Sequence, residues 1–323
     1  MSTYIVTGVA GFIASKTAEF LLKDGHTVVG VDNMNDYYDV RLKEHRLDSL
    51  KTESNFEFHQ LDIESESDLK QLFEQHRIEG VLNLAARAGV RYSLENPHVY
   101  MTTNAMGTLH LLECMRHHDV KKMVLASTSS LYAGQEMPFT EKLPVNTPIS
   151  PYAASKKAAE VMGYSYHSLF QLDVSVVRYF TVFGPCSRPD MAMFRFIRWI
   201  EQGVPIELFG DGTQSRDFTY VDDIARGTIA ALKPIGYEIF NLGGGNNPIS
   251  LNQIIEWIEE RLGKKAIIES KPFHKADMKS TWADISKADE LLGWKPQVDI
   301  KEGVQNCVQW YLDNQSWVKD IKV

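Results

Sequence analysis

The chain has 323 residues, of which 44% are hydrophobic and 24% charged, and its formal net charge is −8. This composition is typical of a globular protein, and the lack of a basic block argues against a nucleic-acid partner. No apolar run approaches the ~18 residues of a membrane span, so we expect no membrane partner. Three widely spaced cysteines favour a reducing compartment, and we predict a cytoplasmic location.

The first 180 residues alternate between short apolar runs and helix-like segments. We predict strands at Tyr4–Thr7, Thr27–Val31, Phe56–Gln60, Gly80–Leu84, Met123–Ser127 and Val174–Tyr179. Helical patterns lie between them, at Ile13–Asp24, Ser67–His76, Val99–His118 and Tyr152–Phe170. This alternation predicts an α/β fold with a parallel, doubly wound sheet. We interpret His117-His118 as a solvated helix end and predict no metal site.

After Tyr179 the alternation breaks at the turn-rich segment that contains Gly184-Pro185. Further along we predict helices at Phe194–Gln202, Phe218–Leu232 and Leu251–Leu262, and a strand at Tyr237–Leu242. The end of the chain is expected to form a smaller α/β unit packed against the sheet. No Pro/Ser-rich linker separates the parts, which indicates close-packed lobes with a cleft between them.

The stretch Thr7–Ala14, TGVAGFIA, joins the first predicted strand to the first helix. Gly8 and Gly11 allow a tight turn and close approach to a pyrophosphate at the helix N-terminus. Asp32 ends the second strand, where a carboxylate hydrogen-bonds ribose hydroxyls and repels a 2′-phosphate. Because Asn33-Met34 supplies no neighbouring cation, we predict NAD rather than NADP. The alternative is a strand-end Asp32 that caps a turn.

A possible acid–base pair follows Pro151, which is typical of a helix start. Tyr152 and Lys156 are four residues apart and share one helix face. A nearby ammonium favours the phenolate form of a tyrosine, which could then act as a general base. The pair becomes informative together with the glycine loop, Asp32 and the hydroxyl run Ser127–Ser130.

These motifs together resemble the extended branch of the short-chain dehydrogenase/reductase family over nearly the whole chain. The matching stretches are TGVAGFIA, LAA at 84–86, TSSLY at 128–132 and YAASK at 152–156. RYFTVFGP at 178–185, SRDFTYVDD at 215–223 and NLGGG at 241–245 resemble its nucleotide-sugar members. The stretches DNMNDYYDVRLKEHRL, AGVRYSLENP and GPCSRPDM are most similar to UDP-glucuronate 4-epimerases among them.

The resemblance implies an NAD-dependent 4-epimerase of a UDP-sugar, with Thr128, Tyr152 and Lys156 as the catalytic residues. It implies cofactor binding by Gly8, Gly11, Phe12, Ile13, Asp32, Asn33, Asp62, Ile63, Leu84, Ala85, Ala86, Asn104, Tyr152, Lys156 and Tyr179. It implies substrate binding by Arg91, Thr128, Ser129, Ser130, Thr181, Arg188, Arg216 and Asp277. Residues 1–180 with about 217–243 would form a Rossmann-type NAD domain, and 181–216 with 244–323 the nucleotide-sugar domain.

The residues after Thr128 indicate which reaction follows hydride transfer. Ser129-Ser130 stand where the 4,6-dehydratases carry an Asp-Glu pair, and no Glu of the decarboxylase type lies nearby. The catalysts of dehydration and decarboxylation are therefore missing, which favours epimerisation. Hexose 4-epimerases usually read RYFN where this chain reads RYFT, so Thr181 favours a glucuronate substrate.

Two other functions remain open from the sequence. A UDP-glucose or UDP-N-acetylglucosamine 4-epimerase would use the same residues, and an NAD-sensing scaffold would use the same fold. A scaffold is normally expected to have a broken catalytic triad, whereas this triad is complete. The family also implies a homodimer, formed by the helices near Val99–His118 and Tyr152–Phe170.

Overall fold

The computed structural model describes residues 1–245, 248–273 and 278–322. Its first half alternates strands and helices. The elements are β1 (Thr3–Thr7), α1 (Phe12–Lys23), β2 (Thr27–Val31), α2 (Val40–Lys51), β3 (Phe56–His59), α3 (Glu66–Gln75), β4 (Gly80–Asn83), α4 (Val90–Glu95), α5 (His98–Tyr100), a π-helical segment (Met101–Met106), α6 (Gly107–His117), β5 (Lys122–Thr128), a 3-10 turn (Ser129–Tyr132), α7 (Pro151–Phe170) and β6 (Asp173–Tyr179).

The second half has shorter and more varied elements. They are β7 (Thr181–Phe183), α8 (Ala192–Gln202), β8 (Ile206–Phe209), β9 (Ser215–Arg216), β10 (Phe218–Tyr220), α9 (Val221–Ala230), β11 (Tyr237–Leu242), β12 (Ile249–Ser250), α10 (Leu251–Leu262), β13 (Ile268–Lys271), α11 (Ser286–Leu292), α12 (Ile300–Asp313) and α13 (Gln315–Val318). None of the helices in the described ranges is long and apolar enough to cross a membrane.

Seven parallel strands form the central sheet in the order β3-β2-β1-β4-β5-β6-β11. The order reverses between β1 and β4, so the chain leaves these adjacent strands in opposite directions across the sheet. Ligands of such sheets bind at the carboxyl ends of the strands beside this switch point. The predicted α/β fold class with a doubly wound parallel sheet is confirmed.

Side chains of the central strands alternate between two apolar layers. Ile5 and Val81 pack with residues of α3, α6 and α7, whereas Val6 and Leu82 pack with residues of α1, α2 and α9. A period of two is what an extended strand imposes, and it places helices on both faces of the sheet. A third cluster joins α8, α10 and α12 to β10. The predicted division into two domains stays a prediction.

Two predicted elements differ from the structure, and one helix was not predicted. The helix predicted at Val99–His118 is divided by the π-helical segment, and Phe218–Tyr220 is a strand that precedes α9. Helix α2 was not expected from the apolar pattern. Its buried face includes Lys43 and Arg46 beside three leucines, so charged residues interrupt the helical periodicity that the prediction uses.

Candidate active site

The loop after β1 is shaped by two glycines. Gly8 has φ +68°, and a Cβ there would lie 2.8 Å from the Ala85 Cα, so a larger residue would strike the backbone after β4. Gly11 precedes α1, and no side chain caps that helix end. The first amides of α1 therefore remain available to an anion, as a dinucleotide phosphate site requires.

Asp32 lines the same pocket at the end of β2. Its carboxylate accepts hydrogen bonds from the Ala10 amide at 3.2 Å and the Met34 amide at 2.8 Å, so the turn-capping alternative is also realised. Asn33 and Met34 supply no cation, but a residue more distant along the chain does. The buried Lys43 ammonium lies 3.5 Å from its Oδ1, brought there by α2 from 11 residues along the chain.

The far end of the pocket is formed by the segments after β3 and β4. Asn33 donates a 2.6 Å hydrogen bond to the Asp62 carboxylate, and Ile63 is buried beside it. The Thr7 hydroxyl accepts the amides of Leu84 and Ala85 at 3.1 Å each. These bonds fix the carboxyl ends of neighbouring strands. The predicted cofactor residues that follow β2, β3 and β4 therefore line one pocket.

Helix α7 brings Tyr152 and Lys156 to this pocket. The Ser150 hydroxyl caps the helix by accepting the Ala153 amide at 3.2 Å, and Pro151 occupies its first turn. The buried Lys156 ammonium donates to the Ala126 carbonyl of β5 at 3.0 Å. Phe12, Ile13, Ala86 and Tyr179 line the same pocket.

Burial dominates the acid–base properties of this pair. It raises the pKa of Tyr152, while the Thr128 hydroxyl and the Arg188 guanidinium act in the opposite direction. Burial also lowers the pKa of Lys156 to about 8, and Glu160 opposes that shift. A lowering of the Tyr152 pKa by Lys156 stays a prediction. In the protein alone, Thr128 and Arg188 are the groups that favour the phenolate.

The hydroxyl run lies where β5 ends. Thr128 is buried and its Oγ1 accepts the Ser130 amide at 3.1 Å, which starts the 3-10 turn. Ser127 lines the pocket and donates to the Glu160 carboxylate at 2.7 Å. Ser129, Ser130 and Thr181 are half-buried but are not among the residues that line the pocket. Thr128 is also not among the pocket-lining residues, but its side chain hydrogen-bonds Tyr152, which does line the pocket.

Of the predicted arginines, only Arg188 lines the pocket in the described chain. Its guanidinium binds the Asp190 carboxylate at 3.0 and 2.5 Å and lies 5.6 Å from the centre of the Tyr37 ring. A partly buried guanidinium near Tyr152 suits an anionic group of a ligand. Asp190 already compensates its charge in this structure.

The other two predicted arginines, Arg91 and Arg216, do not line this pocket. Arg91 lies 4.4 Å from the centre of the Phe209 ring, and Arg216 donates to the Ser215 carbonyl at 2.8 Å. Asp277 falls outside the described residues. Asn104 is buried behind the pocket, where it exchanges hydrogen bonds of 2.9 and 3.0 Å with the Arg87 backbone. Asn104 therefore supports a pocket-lining loop and does not line the pocket itself.

Sequence reasoning missed several residues of the pocket. Tyr37, Tyr38 and Lys43 line it, and so does Arg87. Tyr37 and Tyr38 belong to the segment between β2 and α2, which follows the predicted ribose residue Asp32, and Lys43 lies in α2. The stretch NDYYD was recognisable as a resemblance, but no residue type or spacing in it indicates that its tyrosines line the pocket.

The family described as GDP-mannose 4,6 dehydratase matches residues 5–307. The chain is 62% identical over 323 residues to UDP-glucuronate 4-epimerase of Thermodesulfobacterium geofontis, with 100% of both chains covered. UDP-glucuronic acid 4-epimerase from Bacillus cereus, solved with UDP-glucuronic acid and NAD, has a TM-score of 0.91 at 39% identity over 97% of this chain and 99% of that one.

UDP-glucose 4-epimerase from Thermotoga maritima, solved with UDP-glucose, has a TM-score of 0.89 at 32% identity and covers 97% of this chain and 99% of its own. These matches extend over both halves of the fold and include the loop after β1, the end of β5 and helix α7. The chain therefore belongs to the GDP-mannose 4,6 dehydratase family, within the extended short-chain dehydrogenases/reductases.

Proposed function

We propose that the protein is a UDP-glucuronate 4-epimerase, which interconverts UDP-glucuronate and UDP-galacturonate through a 4-keto intermediate with tightly bound NAD. The observation that carries this proposal is the meeting of Tyr152 and Lys156 with the glycine loop and Asp32 in one pocket. The 62% identity to a UDP-glucuronate 4-epimerase over the full length supports the substrate.

The pocket fits a dinucleotide at three places. Gly8 leaves backbone space that a side chain would fill, the N-terminus of α1 is uncapped, and the Asp32 carboxylate lies at the end of β2. Lys156 would hold the nicotinamide ribose. When bound, NAD supplies the acceptor and then the donor of the hydride at C4 of the sugar.

The protein's own residues would manage the proton. Tyr152 would accept the proton of the sugar 4-hydroxyl. It would later return this proton to the C4 oxygen, when hydride adds to the opposite face of the 4-keto sugar. Thr128, which already opposes the rise in the Tyr152 pKa, would hydrogen-bond the reacting oxygen. A positioned general base of this kind contributes roughly 10²–10⁴-fold to a rate.

The charges around the pocket favour epimerisation over elimination. Among the described residues that line it, the carboxylates are Asp32 and Asp62, both at the adenosine end. Glu160 has no solvent exposure, and its carboxylate binds Ser127 and Arg178, so it is not free to act on the sugar. None of the acidic residues in the described part of the pocket is therefore placed to expel water from the 4-keto sugar.

Arg188 is the proposed anchor for an anionic part of the substrate. Its pairing with Asp190 means that a bound phosphate or carboxylate would replace or share that contact. Arg91, Arg216, Asp277, Ser129, Ser130 and Thr181 stay predictions for the remaining contacts. Neutral hydroxyls beside the C5 carboxylate would hold it without charge repulsion, away from the orientation that releases CO₂.

A second candidate is a UDP-glucose or UDP-N-acetylglucosamine 4-epimerase. The similarity to the Thermotoga maritima UDP-glucose 4-epimerase, with 32% identity and a TM-score of 0.89, favours it. The two candidates share every proposed catalytic residue and differ in the group at C5 or C2. Competition between the three UDP-sugars at equal concentration would separate them.

The purified protein should convert UDP-glucuronate to UDP-galacturonate without added NAD, because the cofactor stays bound through the cycle. Separation of the nucleotide sugars by anion-exchange chromatography measures the product. Formation of UDP-pentose with CO₂, or no turnover after addition of NAD, would overturn the proposal.

We also propose a cytoplasmic homodimer. The three cysteines are free and buried, which suits a reducing compartment. Apolar side chains are exposed on α7 and on the helical segments before α6, among them Met101, Met106, Val161 and Tyr164. Such a surface is typical of an interface between copies. Light scattering after size exclusion should give twice the chain mass, and V161E should shift it toward the monomer.

A further inference from the structure

A cluster of ligating side chains lies outside the pocket, where β3 approaches the end of α3. Glu57 and His59 alternate along β3 and so project from one face of the strand, while His76 directly follows α3. One ligand atom from each of the three residues lies within 4.8 Å of the others. Glu57 Oε1 is 2.8 Å from His59 Nε2 and 3.8 Å from His76 Nε2.

Apart from the nearby Glu57 carboxylate, the two imidazole Nε2 atoms of this cluster are unsatisfied in the described part of the chain. Nε2 of His59 and Nε2 of His76 are both buried, and neither makes a hydrogen bond within the described residues. The rings meet edge to face, with centroids 5.6 Å apart and an angle of 83° between their planes. Burial of an unpaired polar atom costs free energy, so an ion that accepts both lone pairs would remove that cost.

The donor set matches one class of ion. Two imidazoles and a carboxylate bind Zn²⁺ in sites that keep a fourth position for water. Zn–N and Zn–O bonds of about 2.0–2.2 Å place tetrahedral donors roughly 3.3–3.5 Å apart. The distances of 2.8 and 3.8 Å lie on either side of this value. The Glu57 side chain is 54% exposed, so its carboxylate can rotate to adjust them.

We propose that Glu57, His59 and His76 form a Zn²⁺ site that fastens β3 to the end of α3. The site is independent of the proposed epimerase activity. Its position still matters to the pocket, because the His59 carbonyl accepts the amides of Asp32 at 3.3 Å and Leu61 at 3.1 Å. A bound ion would steady the strand end that leads to Asp62, at the adenosine end.

The test is calorimetric titration of the chelator-treated, full-length protein with ZnCl₂. We expect one Zn²⁺ per chain, and at least tenfold weaker binding in H59Q and in H76Q. H117Q is the matched control. His117 Nε2 lies 3.6 Å from Glu113, but among the described residues this pair is not part of a group of three possible metal ligands. H117Q should change the affinity by less than twofold. MgCl₂ should give no comparable binding, since Mg²⁺ prefers oxygen ligands.

Unfolding temperatures provide a second readout of the same site. Zn²⁺ should raise the melting temperature of the wild type and H117Q but not of H76Q, since an ion that binds only the folded state stabilises it. If H59Q fails to fold, the result with H76Q tests the proposal. His76 lies at the end of α3 and outside the central sheet, so its substitution disturbs the fold less. Zn²⁺ binding that survives in both H59Q and H76Q, or no Zn²⁺ binding by the wild type, would overturn the proposal.

Discussion

The cofactor side and the substrate side of the site are built differently. The cofactor side is made of segments that directly follow β1, β2, β3 and β4. Hydrogen bonds connect these segments, such as the one that the Leu84 amide donates to the Thr7 hydroxyl. The proposed substrate side draws mainly on β7, β9 and loops of the second half, and the predicted Arg91 and Arg216 do not line the pocket. The first is fixed by the sheet, whereas the second depends on how loops meet a ligand.

This difference explains where binding and chemistry should tolerate change. Substitutions of residues on the cofactor side are expected to lower the turnover of all UDP-sugars alike, because these residues act on the cofactor and the reacting oxygen. Residues of the second half are expected to change the preference between sugars while the rate with the best sugar stays high.

The largest effect is expected from Tyr152→Phe. Loss of the hydroxyl removes the group that exchanges a proton with the sugar, so turnover should fall by about 10³-fold, or roughly 4 kcal/mol. Bound NAD should be retained, because the pocket keeps its shape. Y164F is the matched control on the same helix, where Tyr164 is 55% exposed. Turnover of UDP-glucuronate decides, and an active Y152F would exclude the proposed mechanism.

Beneath the cofactor side lies a fully buried ion pair. Arg178 donates two hydrogen bonds of 2.8 Å to Glu160, whose bonds with Arg178 hold its pKa below the usual range although burial acts to raise it. E160Q would leave the guanidinium unpaired and should lower the free energy of unfolding by about 3–5 kcal/mol. The control E19Q breaks a surface pair and should cost at most about 1 kcal/mol. Urea unfolding measures both, and equal effects would contradict this account.

A smaller change is expected on the substrate side, from Thr181→Asn. The ratio of kcat/KM for UDP-glucuronate to that for UDP-glucose should fall about tenfold, or roughly 1.4 kcal/mol. T52N, at an exposed position, should leave the ratio unchanged. Kinetics with the two sugars separately provide the measurement. If T181N reduced both rates equally, Thr181 would belong to the common machinery and the contrast between the two sides would fail.

The smallest effect concerns pH. Lys156 is charged below its pKa of about 8 and neutral above it, so turnover should decline as pH rises through 8. For a single group with this pKa, about a tenth of the Lys156 side chains remain protonated at pH 9. K156R keeps its charge across this range, so its lower rate should show no such decline. A pH profile with the same alkaline fall in K156R would assign it to another group.

The sequence predicted the cofactor side well because its residues sit at fixed places in local motifs. Gly8, Gly11 and Asp32 follow strands that a simple apolar pattern reveals, and Tyr152 and Lys156 share one helix turn. Lys43 could not be found in this way. It reaches Asp32 from α2, a helix whose buried face carries two cations and therefore lacks a clear apolar period.

The substrate side was less predictable for a physical reason. Its predicted residues come from segments that are far apart in the sequence. Tertiary packing decides which of them meet, so their spacing along the chain does not predict how close they lie in the fold. Arg188 lines the pocket, and its pairing with Asp190 was not foreseen. The family resemblance supplied the roles of Thr181 and Arg216, and ligand binding is needed to test them.

The central claim is that one bound cofactor removes and returns the hydrogen at C4. UDP-glucuronate labelled with deuterium at C4 tests it most directly, with the product isolated and examined by NMR and mass spectrometry. We predict UDP-galacturonate that keeps the deuterium at C4, with none transferred to or from solvent. Loss of the label to water, or its appearance at another carbon, would contradict the account.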